Sequence, residues 1–349
     1  MKKRNLSAEK KIHNFYLKKL NDEKIGKIYS EFKKNLENQN QKKVCLAISG
    51  GSDSMALAFL SKCYSIQKKE KYIYIVIDHK LRKESSYEAK LTKEKLKKYG
   101  INCKILTVKS KKIRSNIQSF ARENRYKLIF KECSKNKINL VLTAHHKDDL
   151  YENFFIRLLR GSGLKGLSSF NRIKNRVNKE KNIFVYRPLL NVPKKDLIYI
   201  SKKTFNFFLK DPSNYIDKFL RVKIRKLINQ LAKEGLNFNK FKLSLENLYK
   251  SDQTIEFYVK KNIEKNSRFL IKKKSFILNE NFFNQPEEIL FRSLSEIIHR
   301  IGNKKTYARG SKIVNLIRGI NLEENYKKKT LSGCTIEKLN KSMIISREF

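Results

Sequence analysis

The sequence predicts an α/β fold: a doubly wound, mostly parallel sheet followed by a smaller C-terminal α+β domain. Three observations lead there. From residue 44 to about residue 205, short apolar runs alternate with amphipathic stretches, the pattern of parallel strands covered by helices on both faces. The first run ends in a Ser-Gly-Gly-Ser-Asp-Ser turn, and an apolar segment follows at once. After about residue 217 the alternation gives way to long helical periodicity and then to short strands. The length of 349 residues, 40% of them hydrophobic, suits two domains with substantial cores.

In chain order, residues 1–40 read as a basic N-terminal extension, with weak helical periodicity over 25–32. Residues 44–48 form the first buried strand. Gly50 and Gly51 let the backbone turn sharply, and Ser52 or Asp53 is placed to cap the next helix. Residues 72–79 form a second strand and 85–99 an amphipathic helix that Gly100 stops. A third strand covers 102–108, a long helix 116–136, a fourth strand 139–144, and another helix starts near Lys147. The basic stretch 170–187 reads as a loop or hairpin. A helix covers 194–205, and Asp211-Pro212-Ser213-Asn214 is a turn. The domain boundary falls near 220–230, with the first domain taken as 41–225 and the second as 226–349. In the second, strands are expected within 268–278 and 330–348, and helices over 287–301 and 311–320.

Lys plus Arg number 80 against 33 Asp plus Glu, a formal charge of +47. Such an excess points to a polyanionic partner, most simply a nucleic acid, although scarce Gly and Pro beside abundant Lys, Asn and Ile also fit an AT-rich genome. Cys45, Cys63, Cys103, Cys133 and Cys334 form no CxxC pair. Reduced core thiols are expected, in a cytoplasmic protein without zinc site or disulfide framework. The N-terminus carries no signal-peptide pattern and no apolar run reaches membrane-spanning length.

The chemistry-bearing residues cluster at predicted strand ends, where open parallel sheets bind ligands. Ser49, Gly50, Gly51, Ser52, Asp53 and Ser54 form a phosphate-sized turn at a helix N-terminus. Asp78 and His79 end the second strand, where doubly wound sheets often meet a base or ribose. His145 and Asp149 lie four apart at a helix start, with Asp148 between them. Arg122 and Arg125 are three apart on a helix, and Arg160 stands beside Gly161 and Gly163. Each cluster also has a plain structural explanation, as a cap or a solvated charge.

The six-residue turn resembles the SGGxDS signature of the PP-loop ATP pyrophosphatases, which split ATP between the α- and β-phosphates. No GxxxxGK[ST] loop occurs. Seven pieces in order together resemble the tRNA(Ile)-lysidine synthetase family. They are SGGSDS at 49–54, DHKLRKES at 78–85, ARENRY at 121–126, TAHHKDDLYEN at 143–153, RLLRGSGLKGL at 157–167, RPLL at 187–190, and DPSN with FLRVKIR within 211–225. Two departures are Lys147, where a small residue is usual, and Asn153, where Thr is usual.

The resemblance implies a ligase that uses ATP, Mg²⁺ and free L-lysine on the wobble cytidine of the isoleucine tRNA with a CAU anticodon. The turn 49–54 with Asp78 and His79 would hold ATP, and Asp53 and Asp149 Mg²⁺. Asp53, His145, Asp149 and Arg122 would serve catalysis. Arg125, Arg160, Arg172, Arg176, Arg221 and Arg225 would meet the tRNA. The partners implied are that tRNA, L-lysine and ATP, with no membrane; a homodimer is a further reading that the sequence itself does not show. Rival readings are a tRNA-thiolating PP-loop enzyme, a non-catalytic RNA-binding protein, and adenylation of a small metabolite. The missing CxxC pair disfavours the first, the intact turn the second, and the basic charge the third.

Overall fold

The computed structural model describes residues 2–108, 117–169, 174–178, 182–210, 220–271, 273–304, 306–322 and 328–348. Two compact units make up the chain, Met1–Phe241 and Lys242–Phe349.

The first unit is built on a six-stranded sheet. Its strands are β1 (Lys43–Ile48), β2 (Lys71–Asp78), β3 (Cys103–Thr107), β4 (Leu140–Leu142), β5 (Lys174–Asn178) and β6 (Ile183–Tyr186). They lie in the order β3-β2-β1-β4-β6-β5. All neighbours run parallel except the edge pair, where β5 is antiparallel to β6. The strands are apolar because both faces are covered: Val44, Cys45 and Leu46 of β1 are buried, as are Leu140, Val141 and Leu142 of β4. Covering helices include α3 (Ser52–Lys68), α4 (Ser85–Lys97), α5 (Ile117–Lys135), α6 (Lys147–Leu158) and α8 (Lys194–Phe205), with short α7 (Leu164–Ser168) between the last two. From β1 the chain goes first toward β2 and β3 and later returns to lay β4 on β1's other side. The sheet order therefore reverses between β1 and β4, and their carboxyl ends open a crevice.

Residues 1–40 are not an appended arm. They form α1 (Lys2–Leu20) and α2 (Glu23–Glu37). Tyr16, Ile25, Tyr29, Phe32 and Leu36 are buried in the same core as the sheet's inner face. Tyr16 stacks on Phe59 of α3 with ring centroids 5.4 Å apart. The spacing 25, 29, 32, 36 keeps one helix face apolar, while lysines on the other face dominate the composition.

The boundary also moves. α9 (Leu220–Lys233) belongs to the first unit because it packs against α6, where Arg225 meets the buried Glu152 at 2.5 Å. α10 (Phe238–Asn266) begins with Phe238 and Phe241 against Tyr151 of α6, the Tyr151 and Phe241 rings stacking at 4.5 Å. The change of composition near residue 217 therefore precedes the structural division, which follows Phe241. The turn expected at 211–214 lies outside the described residues.

The second unit carries an all-antiparallel sheet of β7 (Ser267–Leu270), β8 (Ser275–Leu278), β9 (Lys329–Leu331), β10 (Cys334–Leu339) and β11 (Ser342–Arg347), in the order β7-β8-β11-β10-β9. Short α11 (Glu280–Phe283) precedes α12 (Glu287–Gly302) and α13 (Gly310–Leu322). Leu294, Ile297 and Ile298 of α12 share a core with Ile336 and Ile345 of the sheet. This is the expected α+β unit.

Candidate active site

Because β1, β2, β4 and β6 are parallel, their following residues meet on one edge: Ser49–Ser54, His79, Thr143–Asp149 and Arg187. The turn after β1 is held from inside. Ser49 donates its backbone N–H to Ser54 Oγ at 3.2 Å, and Ser54 Oγ donates to the Gly51 carbonyl at 2.9 Å. Gly50 sits at φ +83°, where a Cβ would run into Thr92 and Leu209, so both backbone and space demand glycine. Neither Ser52 nor Asp53 caps α3, contrary to expectation. Gly51 takes the cap position and has no side chain to offer. Ser52 Oγ instead donates to Asp53 Oδ1 at 3.0 Å. A helix beginning this way presents its first-turn amides to an anion.

Asp53, Asp148 and Asp149 converge on one imidazole, that of His146. Its Nε2 lies 3.5 Å from Asp53 Oδ2 and 3.6 Å from Asp149 Oδ2, and its Nδ1 lies 3.4 Å from Asp148 Oδ2. His146 is only 2% exposed. Burial opposes its charge, but Asp148, Asp53 and Asp149 outweigh that and raise its pKa to about 10. Asp148 is pushed up by burial and pulled down harder by His146 and the Lys194 amide, to about 2. Asp53 is lowered for the same balance of reasons, His146 and Lys194 overcoming burial. Lys194, at the start of α8, reaches Asp53 Oδ2 with Nζ at 3.6 Å and donates its N–H to Asp148 at 2.8 Å.

Sequence reasoning chose His145 and missed its neighbour. The backbone enters α6 with His146 in extended conformation, so consecutive side chains diverge. His145 shares a 2.9 Å hydrogen bond between Nδ1 and Thr143 Oγ1. Burial, together with the Arg187 and Arg122 charges, lowers its pKa to about 3 against the opposing pull of Asp149. It is neutral, whereas His146 is a cation. His146, Lys194 and Arg187 are the site residues not anticipated, and Asp148 was placed in the cluster without a role. Two adjacent histidines before two aspartates were the available signal, but not which histidine turns inward.

Asp78, expected at the nucleotide, is 4% exposed and engaged by protein donors. Oδ1 accepts from the Lys80 N–H at 3.0 Å and Ser85 Oγ at 2.8 Å, and Oδ2 from Ser86 Oγ at 2.6 Å. It anchors the start of α4. His79 lies 3.4 Å from an Arg125 guanidinium nitrogen; burial and that cation lower its pKa to about 4. Arg122 packs over the Tyr126 ring at 5.2 Å while its charge bears on His145 and Arg187. Arg187 itself is 5% exposed. Arg160 and Arg221 are exposed, and Arg225 is tied to Glu152. Arg172 lies outside the described residues. Arg176 is on β5 opposite Phe184.

The donor set suits a hard divalent cation. Asp53 and Asp149 each bring a carboxylate oxygen to within 3.6 Å of His146 Nε2, and Mg²⁺ typically takes one or two carboxylates with substrate phosphates and water. Among the described residues no group of three or more His, Cys, Asp or Glu makes a complete metal cage. All five cysteines are free and buried, and no described helix is long and apolar enough to cross a membrane.

A PP-loop domain model matches residues 24–232. The tRNA(Ile)-lysidine synthase of Rickettsia typhi is 32% identical over 334 residues, covering 92% of this chain and 74% of that protein. The enzyme of the same name from Orientia tsutsugamushi is 31% identical over 319 residues, covering 88% and 70%. Among solved structures, the U34-tRNA thiolase NcsA from Methanococcus maripaludis superposes with a TM-score of 0.55 at 20% identity, over 65% of this chain and 78% of that one. That likeness shows a shared fold.

Proposed function

The chain belongs to the tRNA(Ile)-lysidine synthase family and carries its PP-loop domain; from that premise we infer the reaction and the part each residue plays in it. The protein is a ligase that uses ATP to modify tRNA(Ile). In the full reading, the O2 atom of the wobble cytosine attacks the α-phosphate of ATP and pyrophosphate leaves. The ε-amine of L-lysine then attacks C2, AMP departs with the former carbonyl oxygen, and lysidine results. Adenylation is needed because an unactivated carbonyl oxygen is a poor leaving group.

One observation supports this placement above the others: Asp53, Asp148 and Asp149 meet around His146 at the sheet's reversal point, beside the glycine turn. The turn 49–54 and the first amides of α3 hold the phosphates. Asp53 and Asp149 would hold Mg²⁺, which would offset charge gathering on the departing pyrophosphate. The protonated His146 keeps these carboxylates from repelling one another and fixes their direction. The neutral His145, aimed by Thr143, orients the nucleotide as an uncharged hydrogen-bonding partner. Arg122, Arg125 and the buried Arg187 supply fixed positive charge for phosphate oxygens. The exposed Arg160 and Arg221, with Arg176 on β5 and Arg172 shortly before it in sequence, meet the tRNA backbone in this reading. Arg225 is supported as the tie between α9 and Glu152.

Sulfur transfer is the weaker alternative, since every cysteine is buried and none is paired in CxxC spacing. The buried thiols also fit a reducing cytoplasm. Homodimer formation belongs to the same reading and is read out by sedimentation at micromolar concentration. The decisive experiment is incorporation of radiolabelled lysine into an isoleucine tRNA transcript with a CAU anticodon, with one AMP and one pyrophosphate released per lysine. ATP turnover without lysine transfer, or incorporation of sulfur instead, would reject it.

A further inference from the structure

The second unit contains a cleft that the reaction leaves without a task. Its volume is about 430 Å³, and Tyr307, Ala308, Arg309, Lys312, Leu331 and Ser332 line it. The aromatic wall is braced. Tyr307 donates its hydroxyl to Glu296 Oε2 at 2.7 Å, and Arg300 Nε donates to Glu296 Oε1 at 2.9 Å. The His299 ring lies nearly parallel to Tyr307, with centroids 4.0 Å and planes 20° apart. Even so, Tyr307 is 48% exposed. A ring already fixed on one side and open to solvent forfeits little freedom when a planar group stacks on it. The facing wall is equally set: Gly302 packs so closely on the Ser332 carbonyl that no Cβ fits there, and Gly333 turns the chain at φ +81°. Arg309 and Lys312 are exposed at the cleft, and none of its six lining residues is acidic.

We propose that this cleft is a nucleotide subsite for the RNA substrate. An unstacked base lies on Tyr307 while Arg309 and Lys312 meet the phosphates beside it. The proposal deepens the tRNA reading and rests on it. Base–aromatic stacking with flanking cations is how proteins hold single-stranded nucleotides, because every base has a π-face and every linkage a charge. A free nucleoside triphosphate is the poorer occupant: the cleft has none of the glycine-turn geometry that cradles phosphates at residues 49–54.

The test uses the full-length chain and the CAU-anticodon isoleucine tRNA transcript, with binding followed by fluorescence anisotropy across a salt series. Tyr307→Leu is expected to weaken tRNA binding about tenfold with an unchanged salt slope, and Tyr307→Phe by far less. Arg309→Gln with Lys312→Gln is expected to lower the log–log salt slope by about 0.7 to 0.9 for each phosphate no longer neutralised. Photo-crosslinking of a 4-thiouridine-substituted transcript should yield an adduct at Tyr307 in the wild-type chain. Lysine incorporation at saturating tRNA should persist in all variants, and circular dichroism melting should confirm their fold. Unchanged tRNA affinity in a folded Tyr307→Leu, with no adduct at Tyr307, would overturn the proposal. So would Tyr307-dependent binding of free AMP without any change for tRNA. Failure of the tRNA reading would appear separately, as absent lysine incorporation by the wild-type chain.

Discussion

Asp53 is the residue on which the most interactions of the site depend. It faces His146 and Lys194, accepts from Ser52, and stands one residue inside α3. Asp53→Asn keeps the shape and removes the charge. We expect it to fold and to lose lysine incorporation by at least about a hundredfold, the scale of losing one preorganised electrostatic group. Near wild-type incorporation would remove Asp53 from the site. The two neutral histidines make a separate prediction. His79 and His145 have pKa values lowered from 6.5 to about 4 and about 3, burial being the leading cause. As pH falls below about 6.5, the unfolded chain takes up protons that the folded chain refuses, so stability drops. His146 works in the other direction, its raised pKa giving stability that is full below about 6.5 and lost toward 10. Between pH 6.5 and 5 the loss from His79 and His145 therefore dominates these three. Urea midpoints should fall over that range, with a shallower fall in His79→Asn. A flat wild-type profile would contradict the burial of neutral imidazoles.

At the level of elements, the N-terminal helices carry the clearest departure from a reading by composition. Phe32 of α2 is 1% exposed in the main core. Phe32→Ala should cost about 3–5 kcal/mol by denaturant titration, the usual range for emptying such a site. An extension lying outside the core would lose almost nothing. The strand–helix alternation was legible because β1, β2 and β4 are short apolar runs that end in chemical motifs, and α8 was readable to the residue. α1 and α2 were obscured because lysines crowd the outward positions between Ile25, Tyr29, Phe32 and Leu36. The phosphate turn was legible as a motif. The identity of its charged partner was not, because His146 and not His145 faces Asp53 only through the extended step before α6. Lys194 and Arg187 are far from the turn in sequence and reach the edge only once the sheet has formed.

Across the whole molecule the dominant quantity is the charge of +47, which an AT-rich genome and an RNA substrate would both favour. Replacing Arg172, Lys174 and Arg176 together by Gln separates the two. If the hairpin region grips RNA, the salt slope of tRNA binding falls by about 0.7 to 0.9 for each phosphate that goes unpaired while ATP affinity holds. An unmoved slope would mark these as solvated charges and leave the second unit as the main RNA-binding surface. The order in which the chain is made adds a last consequence. The Gly50 carbonyl accepts its hydrogen bond from the N–H of Leu209, at 2.9 Å, and Ser201 of α8 donates to the Ser52 carbonyl. The turn leaves the ribosome well before the groups that clasp it, which are translated about 150 residues later. Until residue 209 has emerged, the turn cannot reach its final geometry, and Tyr16 and Phe59 wait for Phe205 to close their cluster. Nucleotide should therefore protect nascent chains from protease only when they extend well beyond Leu209, making ATP a late witness to folding and no help in starting it.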